Sequence, residues 1–240
     1  MEAATSAGGS GEASGADAHD APGQLLAHLL SEAAAGRPPT PDGTVDILPS
    51  LGAGLDDAVL AFNGHLVITT GLPANEVRAH FPDGDYLAWC DPRSMLWLSE
   101  RAQRGLGTAD VLLATAARSG APPVDLVPLD VDHPRLEEGR LRRSEGQAWA
   151  TADGAGMVSV ARGLAGRWEL AYEVEPRARG RGLGVALVRA ARHLVPAGEV
   201  LWAQTAPGNV ASLRGLLAAG MRPIAGETLL LSRPGSGVST

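Results

Sequence analysis

The stretch Pro176–Leu187, PRARGRGLGVAL, concentrates residue types that can hold a phosphate-bearing ligand. Gly180, Gly182 and Gly184 alternate at the start of an apolar segment, Leu183–Leu194, in which Leu183, Leu187, Ala190 and Leu194 recur at helical spacing. Glycine lets the backbone adopt positive φ and lets a ligand approach the main chain closely. The first turn of a helix offers N–H groups without partners and the positive end of the helix dipole. Combined, these features make an anion cradle suited to a pyrophosphate. Arg177, Arg179 and Arg181 add positive charge at this spot in a chain whose formal net charge is −7. For the loop by itself, a Gly-rich turn with solvated arginines is the competing reading.

Known phosphate loops discriminate further. A dinucleotide fingerprint needs glycine at the fifth position after its first glycine; counted from Gly180, that position is Val185. A Walker loop needs a lysine, and the sequence contains none. The missing lysine also excludes Schiff-base chemistry and any catalytic lysine amine. What remains is R-x-x-G-x-G, spelled by Arg179, Gly180, Arg181, Gly182, Leu183 and Gly184. Just upstream, Glu169, Glu173 and Glu175 alternate along Trp168–Val174 and its continuation, which places three carboxylates on one strand face and Tyr172 on the other. Three carboxylates are too many for a core, so that face is expected to meet solvent or a cleft. Carboxylates there can serve as general bases.

The elements that must position these residues form a recognisable run. Gln147–Ala152, Met157–Arg162 and Trp168–Val174 read as three strands joined by short glycine-containing turns, an antiparallel meander. The Gly-rich loop and the helix follow. Val200–Thr205 is a further strand. Asn209 sits at an N-cap position for a helix Val210–Ala219 that Gly220 stops, and Thr228–Ser232 supplies a last strand. The order is β-β-β-α-β-α-β.

At these residues the chain resembles the GNAT superfamily of N-acyltransferases, over about residues 125–232. Three linked features carry the resemblance. The strand LAYEVEP (Leu170–Pro176) runs directly into RGRGLG. The strand Leu201–Ala206 leads into Pro207-Gly208-Asn209. The helix after it ends in Ala218-Ala219-Gly220-Met221-Arg222-Pro223, similar to a signature of that fold. The resemblance implies a mixed, mainly antiparallel sheet flanked by helices, within the α/β class (α+β type). It implies acetyl-CoA as cosubstrate, with pyrophosphate on the backbone of Arg179, Gly180, Arg181, Gly182, Leu183 and Gly184. Val174 would hydrogen-bond the pantetheine arm, and Asn209 would reach the cofactor amide or pantetheine, or cap its helix, or both. A carboxylate would take the proton of an attacking amine, Glu173 first and Glu169 second. The tyrosine that commonly protonates the leaving thiolate from the last helix has no counterpart: the only tyrosines are Tyr86 and Tyr172. The implied activity is N-acetyl transfer to a primary amine on a small molecule or peptide, by direct attack on the thioester. A non-catalytic acyl-CoA-binding or scaffold role is the alternative.

Upstream, the sequence divides into expected regions. Residues 1–22 are Ala, Gly, Ser, Asp and Glu with almost no large apolar side chain, and are expected to be disordered. Gln24–Ala35 is a short helix and residues 36–43 a linker. A smaller α/β region spans 44–121, with a hairpin at Asn63-Gly64 inside Ala58–Thr69, helices at Pro73–Phe81 and Pro92–Arg104, and an apolar Ala109–Ala117 that fits helix or strand. It holds no catalytic constellation. The acyltransferase-like domain is expected over 122–234, with a strand within Val124–Val131, a charged helix at His133–Arg143, and a disordered tail at 235–240.

Composition narrows the function classes. Hydrophobic residues make up 45% of the chain, enough for a packed core. The acidic balance argues against a nucleic-acid surface. One cysteine, Cys90, cannot form an internal disulfide and is expected to be buried and structural. No apolar run reaches the roughly 18 residues of a membrane span, and no signal peptide is visible. A cytoplasmic protein, monomeric or homodimeric and without a metal site, is the expectation.

Overall fold

The computed structural model of the protein describes residues 17–129 and 144–232, and in residues 17–22 the backbone alone. The expected charged helix His133–Arg143 and both chain ends lie outside the described residues.

Ten strands build one sheet: β1 Val45–Pro49, β2 Asp57–Phe62, β3 His65–Thr70, β4 Gly105–Ala116, β5 Leu126–Pro128, β6 Ser144–Thr151, β7 Gly156–Arg162, β8 Trp168–Val174, β9 Val200–Thr205 and β10 Arg222–Leu231. Their order in space is β1-β3-β2-β10-β4-β9-β8-β7-β6-β5. All neighbours are antiparallel except β1 with β3 and β8 with β9. The helices are α1 Asp17–Ala34, α2 Ala74–Arg78, α3 Pro92–Arg101, α4 Leu183–Ala191 and α5 Val210–Ala218. The expected fold class, a mixed and mainly antiparallel sheet flanked by helices, is what the chain adopts.

The local signals account for most of these elements. Gly64, at φ 71°, makes the tight turn between β2 and β3. Asp91 caps α3 by accepting from the Arg93 N–H, with Pro92 in the first turn. Asn209 caps α5 by accepting from the Ser212 N–H. The segment that fitted helix or strand is the twelve-residue strand β4, because it must fill the gap between β10 and β9. Strand β1 was not expected; its pairing to β3 is parallel and therefore has no turn signal beside it. Helix α1 starts at Asp17, so residues 17–22, expected to be disordered, belong to it. Leu26 and Leu30, both buried, anchor the helix, and extending an anchored helix is far easier than nucleating one.

The central strands knit the chain's two halves together. β10, the last strand, lies between β2 and β4, while β4, from the first half, lies between β10 and β9. Hydrogen-bond ladders therefore cross residue 121 in both directions.

Two faces result. On one, Leu187 of α4 and Leu216 of α5 pack with the strand residues Leu113, Leu170 and Leu201, and farther along, Phe81, just after α2, and Leu98 of α3 pack with Val59 and Ile68. On the other, Leu26 and Leu30 of α1 cover Leu60, Leu112, Ala114 and Trp202.

Candidate functional site

The sheet opens at one place. β8 pairs with β9 only at Trp168↔Leu201 and Glu169↔Trp202. Beyond that point β8 stays with β7 as far as Val174, and β9 stays with β4 as far as Thr205. A wedge opens between them, walled by Leu170–Val174 and Ala203–Thr205. The Glu175 N–H donates to the Ala155 carbonyl toward β7. By the alternation of an antiparallel ladder, Tyr172 and Val174 turn their backbone polar groups the other way, into the wedge. The Val174 carbonyl accepts there from Arg179 Nε at 3.0 Å.

At the mouth of the wedge the chain makes a short 3-10 turn, Pro176–Ala178, and enters α4. Gly180 has φ 74°, and Gly182, the N-cap of α4, has φ 84°. Both conformations favour glycine, and a Cβ at either position would project into open space. No side chain caps α4, and Ala186 is the first residue whose N–H finds a carbonyl within the turn, that of Gly182. The N–H groups of Leu183, Gly184 and Val185 are left for a ligand or solvent. Gly184 serves packing as well: a Cβ there would come within 3.1 Å of the Tyr172 ring. Arg177, Arg179 and Arg181 are exposed around the turn. The loop thus has the features of an anion cradle, and the open edge of β8 leads straight into it.

The three carboxylates of β8 have different surroundings. Glu175 is exposed and Glu173 half-buried on the wedge wall, on the face away from α4. Glu169 stands at the closed end and is buried, contrary to the expectation that this face meets solvent or a cleft. The cause is Arg167, also buried. Its Nε donates to Glu169 at 2.8 Å, and its Nη1 and Nη2 donate to the two carboxylate oxygens of Glu227 on β10 at 2.7 and 2.8 Å. Gln204 on β9 donates its amide to both carboxylates, and the Leu164 N–H adds a longer bond to Glu169. Burial works against the Arg167 charge, but Glu227 and then Glu169 outweigh it and hold the guanidinium's pKa above its ordinary value. Next to Glu227, burial and then the Glu227 charge raise the Asp110 carboxyl, against bonds from Thr108. Gln204 lies on β9, Glu227 on β10 and Arg167 just before β8, and sequence reasoning missed all three. The available signal was a charged residue against apolar strand sequence, Arg167 at the edge of Trp168–Val174 and Glu227 before Thr228.

Asn209 stands exposed at the start of α5, where it serves as N-cap. Tyr172 reaches under α5, its hydroxyl donating to the Ser212 carbonyl at 3.4 Å, a long bond. Cys90, expected to be buried, is exposed at the end of a 3-10 turn whose interior position Ala88 takes. Partial desolvation raises its thiol pKa, away from the reactive thiolate.

Residues 118–217 match the model of the acetyltransferase (GNAT) family, which bears out the resemblance carried by the loop. Among solved structures, a GNAT-family acetyltransferase from Colwellia psychrerythraea aligns at 12% identity with a TM-score of 0.36, over 54% of this chain and 57% of that one. A protein assigned as an acetyltransferase of the same family from Novosphingobium aromaticivorans aligns at 25% identity with a TM-score of 0.36, over 52% of this chain and 65% of that one. The chain thus spans less than two thirds of either. No curated protein matches it. Among the described residues, no helix is long and apolar enough to cross a membrane.

Proposed function

We propose that the chain is an N-acetyltransferase that moves an acetyl group from acetyl-CoA to a primary amine. One observation carries the reading: an unpaired strand edge, the wedge side of Leu170–Val174, runs directly into an uncapped helix N-terminus flanked by three arginines. The residues fit the cosubstrate in both its parts. The N–H groups at Gly182–Gly184, with Arg179 and Arg181, suit the pyrophosphate. The wedge-facing backbone of Val174 suits the amides of the pantetheine arm, once Arg179 gives up its bond to the Val174 carbonyl. Asn209, across the wedge at the start of α5, supplies a polar side chain to the same arm. Acetyl-CoA brings an activated thioester, whose acyl carbon the amine attacks as the C–S bond breaks.

Glu173 is the residue for the acceptor's proton. It lies on the wedge wall four residues beyond the closed end, about 13 Å along the strand from Glu169. Glu169 is engaged by Arg167 and Gln204, an arrangement that favours holding the closed end of the wedge over moving a proton. The acceptor would enter from the face of Glu173, opposite α4. The leaving thiolate, a good leaving group, takes its proton from solvent or from a nearby hydroxyl. The test is release of free thiol from acetyl-CoA with a panel of primary amines on small molecules and peptides, in a Cys90→Ser background to remove the protein's own thiol. Amine-dependent release that Glu173→Gln suppresses supports the reading.

A second reading rests on the absence of any tyrosine in α5: the chain binds acyl-CoA without turning it over. Tight binding without thiol release for any amine would favour it.

A further inference from the structure

We propose that the cavity between the C-terminal ends of α4 and α5 and the segment Arg118–Pro123 is a binding site for a small polyanion, a metabolite carrying phosphate or paired carboxylates. The cavity measures about 460 Å³ and is lined by Arg118, Arg189, Arg192 and His193, with no carboxylate among the described lining residues. That volume lies in the range of small-molecule sites. Concentrated positive charge with no carboxylate beside it among the described residues stands out in a chain of net charge −7.

The charges are held together by the fold. The Arg118 N–H donates to the Arg192 carbonyl at 2.7 Å, which seats the two residues side by side. Arg192 Nε donates to the Ala116 carbonyl at 2.9 Å, and Arg189 Nη2 to the Ala218 carbonyl at 3.0 Å. His193 Nδ1 lies 3.0 Å from the Gly120 carbonyl, so it carries the proton and leaves Nε2 for another partner. The bonds to the Arg192 and Ala218 carbonyls also satisfy helix-end acceptors that would otherwise repel an anion. Each guanidinium has five donors, and among the described residues most stay uncommitted. The Arg118 guanidinium donates to nothing among the described residues. Burial, and then repulsion from Arg118, hold Arg192's pKa below the usual arginine value. Two like charges pressed together, with no counter-ion among the described residues, gain from a bound anion, which relieves the repulsion and takes up donors.

The site is distinct from the loop at Arg179–Gly184. At about 1.5 Å per helical residue, Arg189 and Arg192 lie roughly 10–15 Å from Gly182, at the opposite end of α4. The proposal does not depend on acyl transfer.

The test is calorimetry with citrate and with inorganic phosphate, at matched ionic strength in chloride, on the full chain carrying Gly182→Asp to close the loop to anions. One binding event per chain is expected. Arg118→Ala should weaken it about tenfold or more, the scale of a lost charge-assisted contact. Because the Arg118 side chain has no protein partner among the described residues, that variant should fold as the parent does. Arg192→Lys keeps the charge but loses the planar fork, and should weaken binding less than Arg192→Ala. Absence of heat with both anions, or equal affinity in the parent and Arg118→Ala, would overturn the proposal. Loss of acetyl-CoA binding in Gly182→Asp bears on the loop alone.

Discussion

The Arg167 network makes a sharp claim about stability. Replacing Arg167 by Met keeps most of the side-chain volume but removes three short charge-assisted bonds, one to Glu169 and two to Glu227. Both carboxylates are 4% or less exposed, so water cannot replace the lost donor without opening the sheet. Gln204 remains as the donor to both, shared between two negative charges. Removing one partner from a buried ion pair typically costs about 3–5 kcal/mol. For a chain of this size each kcal/mol moves the melting temperature by about 2–4 °C, so a fall of roughly 6–20 °C is expected. Thermal unfolding followed by circular dichroism measures it. The triple variant Arg167→Met, Glu169→Leu, Glu227→Leu should recover most of the loss, because apolar replacement of a whole buried ion cluster is often neutral or stabilising. A melting temperature for Arg167→Met within 2 °C of the parent would refute the claim that this network closes the wedge.

The remaining predictions address other parts of the molecule. Glu173→Gln should lower kcat by about 10²–10⁴-fold with acetyl-CoA affinity nearly unchanged, and the deficit should shrink as pH rises and more amine is already neutral; a pH–rate profile with a defined amine checks this. Glu169→Gln should act mainly on the melting temperature, and a kcat loss at undiminished stability would contradict the locking role. Leu26→Ala should cost about 2–5 kcal/mol in urea unfolding, since that side chain of α1 is fully buried against the sheet. Asp42 accepts from the Thr44 side chain and backbone and lies beside His65, contacts that hold its carboxyl at about 2. Because this folded-state value lies below the unfolded one, the stabilisation is present above pH ~4 and lost as pH falls from there through about 2. Asp42→Asn should therefore flatten that part of the melting-temperature profile.

The site was more legible in the sequence than the fold around it. Gly180, Gly182 and the helix from Leu183 lie within one short stretch, so their spacing states the local geometry outright. Trp168–Val174 and Val200–Thr205 read correctly to the residue, because alternation and flanking turns are local signals. Period-2 alternation also put Glu169 and Glu173 on one face. It could not tell that Arg167 and, from strands β9 and β10, Gln204 and Glu227 would close over Glu169, because partner strands are chosen by tertiary pairing. The same limit hid the insertion of β4 between β9 and β10 and the parallel seating of β1. Cys90 was misjudged because burial tendency belongs to a residue type, whereas its exposure follows from one turn's orientation.

The most direct measurement is calorimetric titration of acetyl-CoA into the parent protein and into Gly182→Asp. Gly182 has φ 84° and faces open space at the uncapped start of α4, so an aspartate there would be strained and would put a negative charge where the pyrophosphate is expected. Saturable binding of one acetyl-CoA per parent chain, abolished in the variant while its fold is retained, is the predicted result. No binding to the parent, or equal affinity in both proteins, would contradict the assignment of the loop.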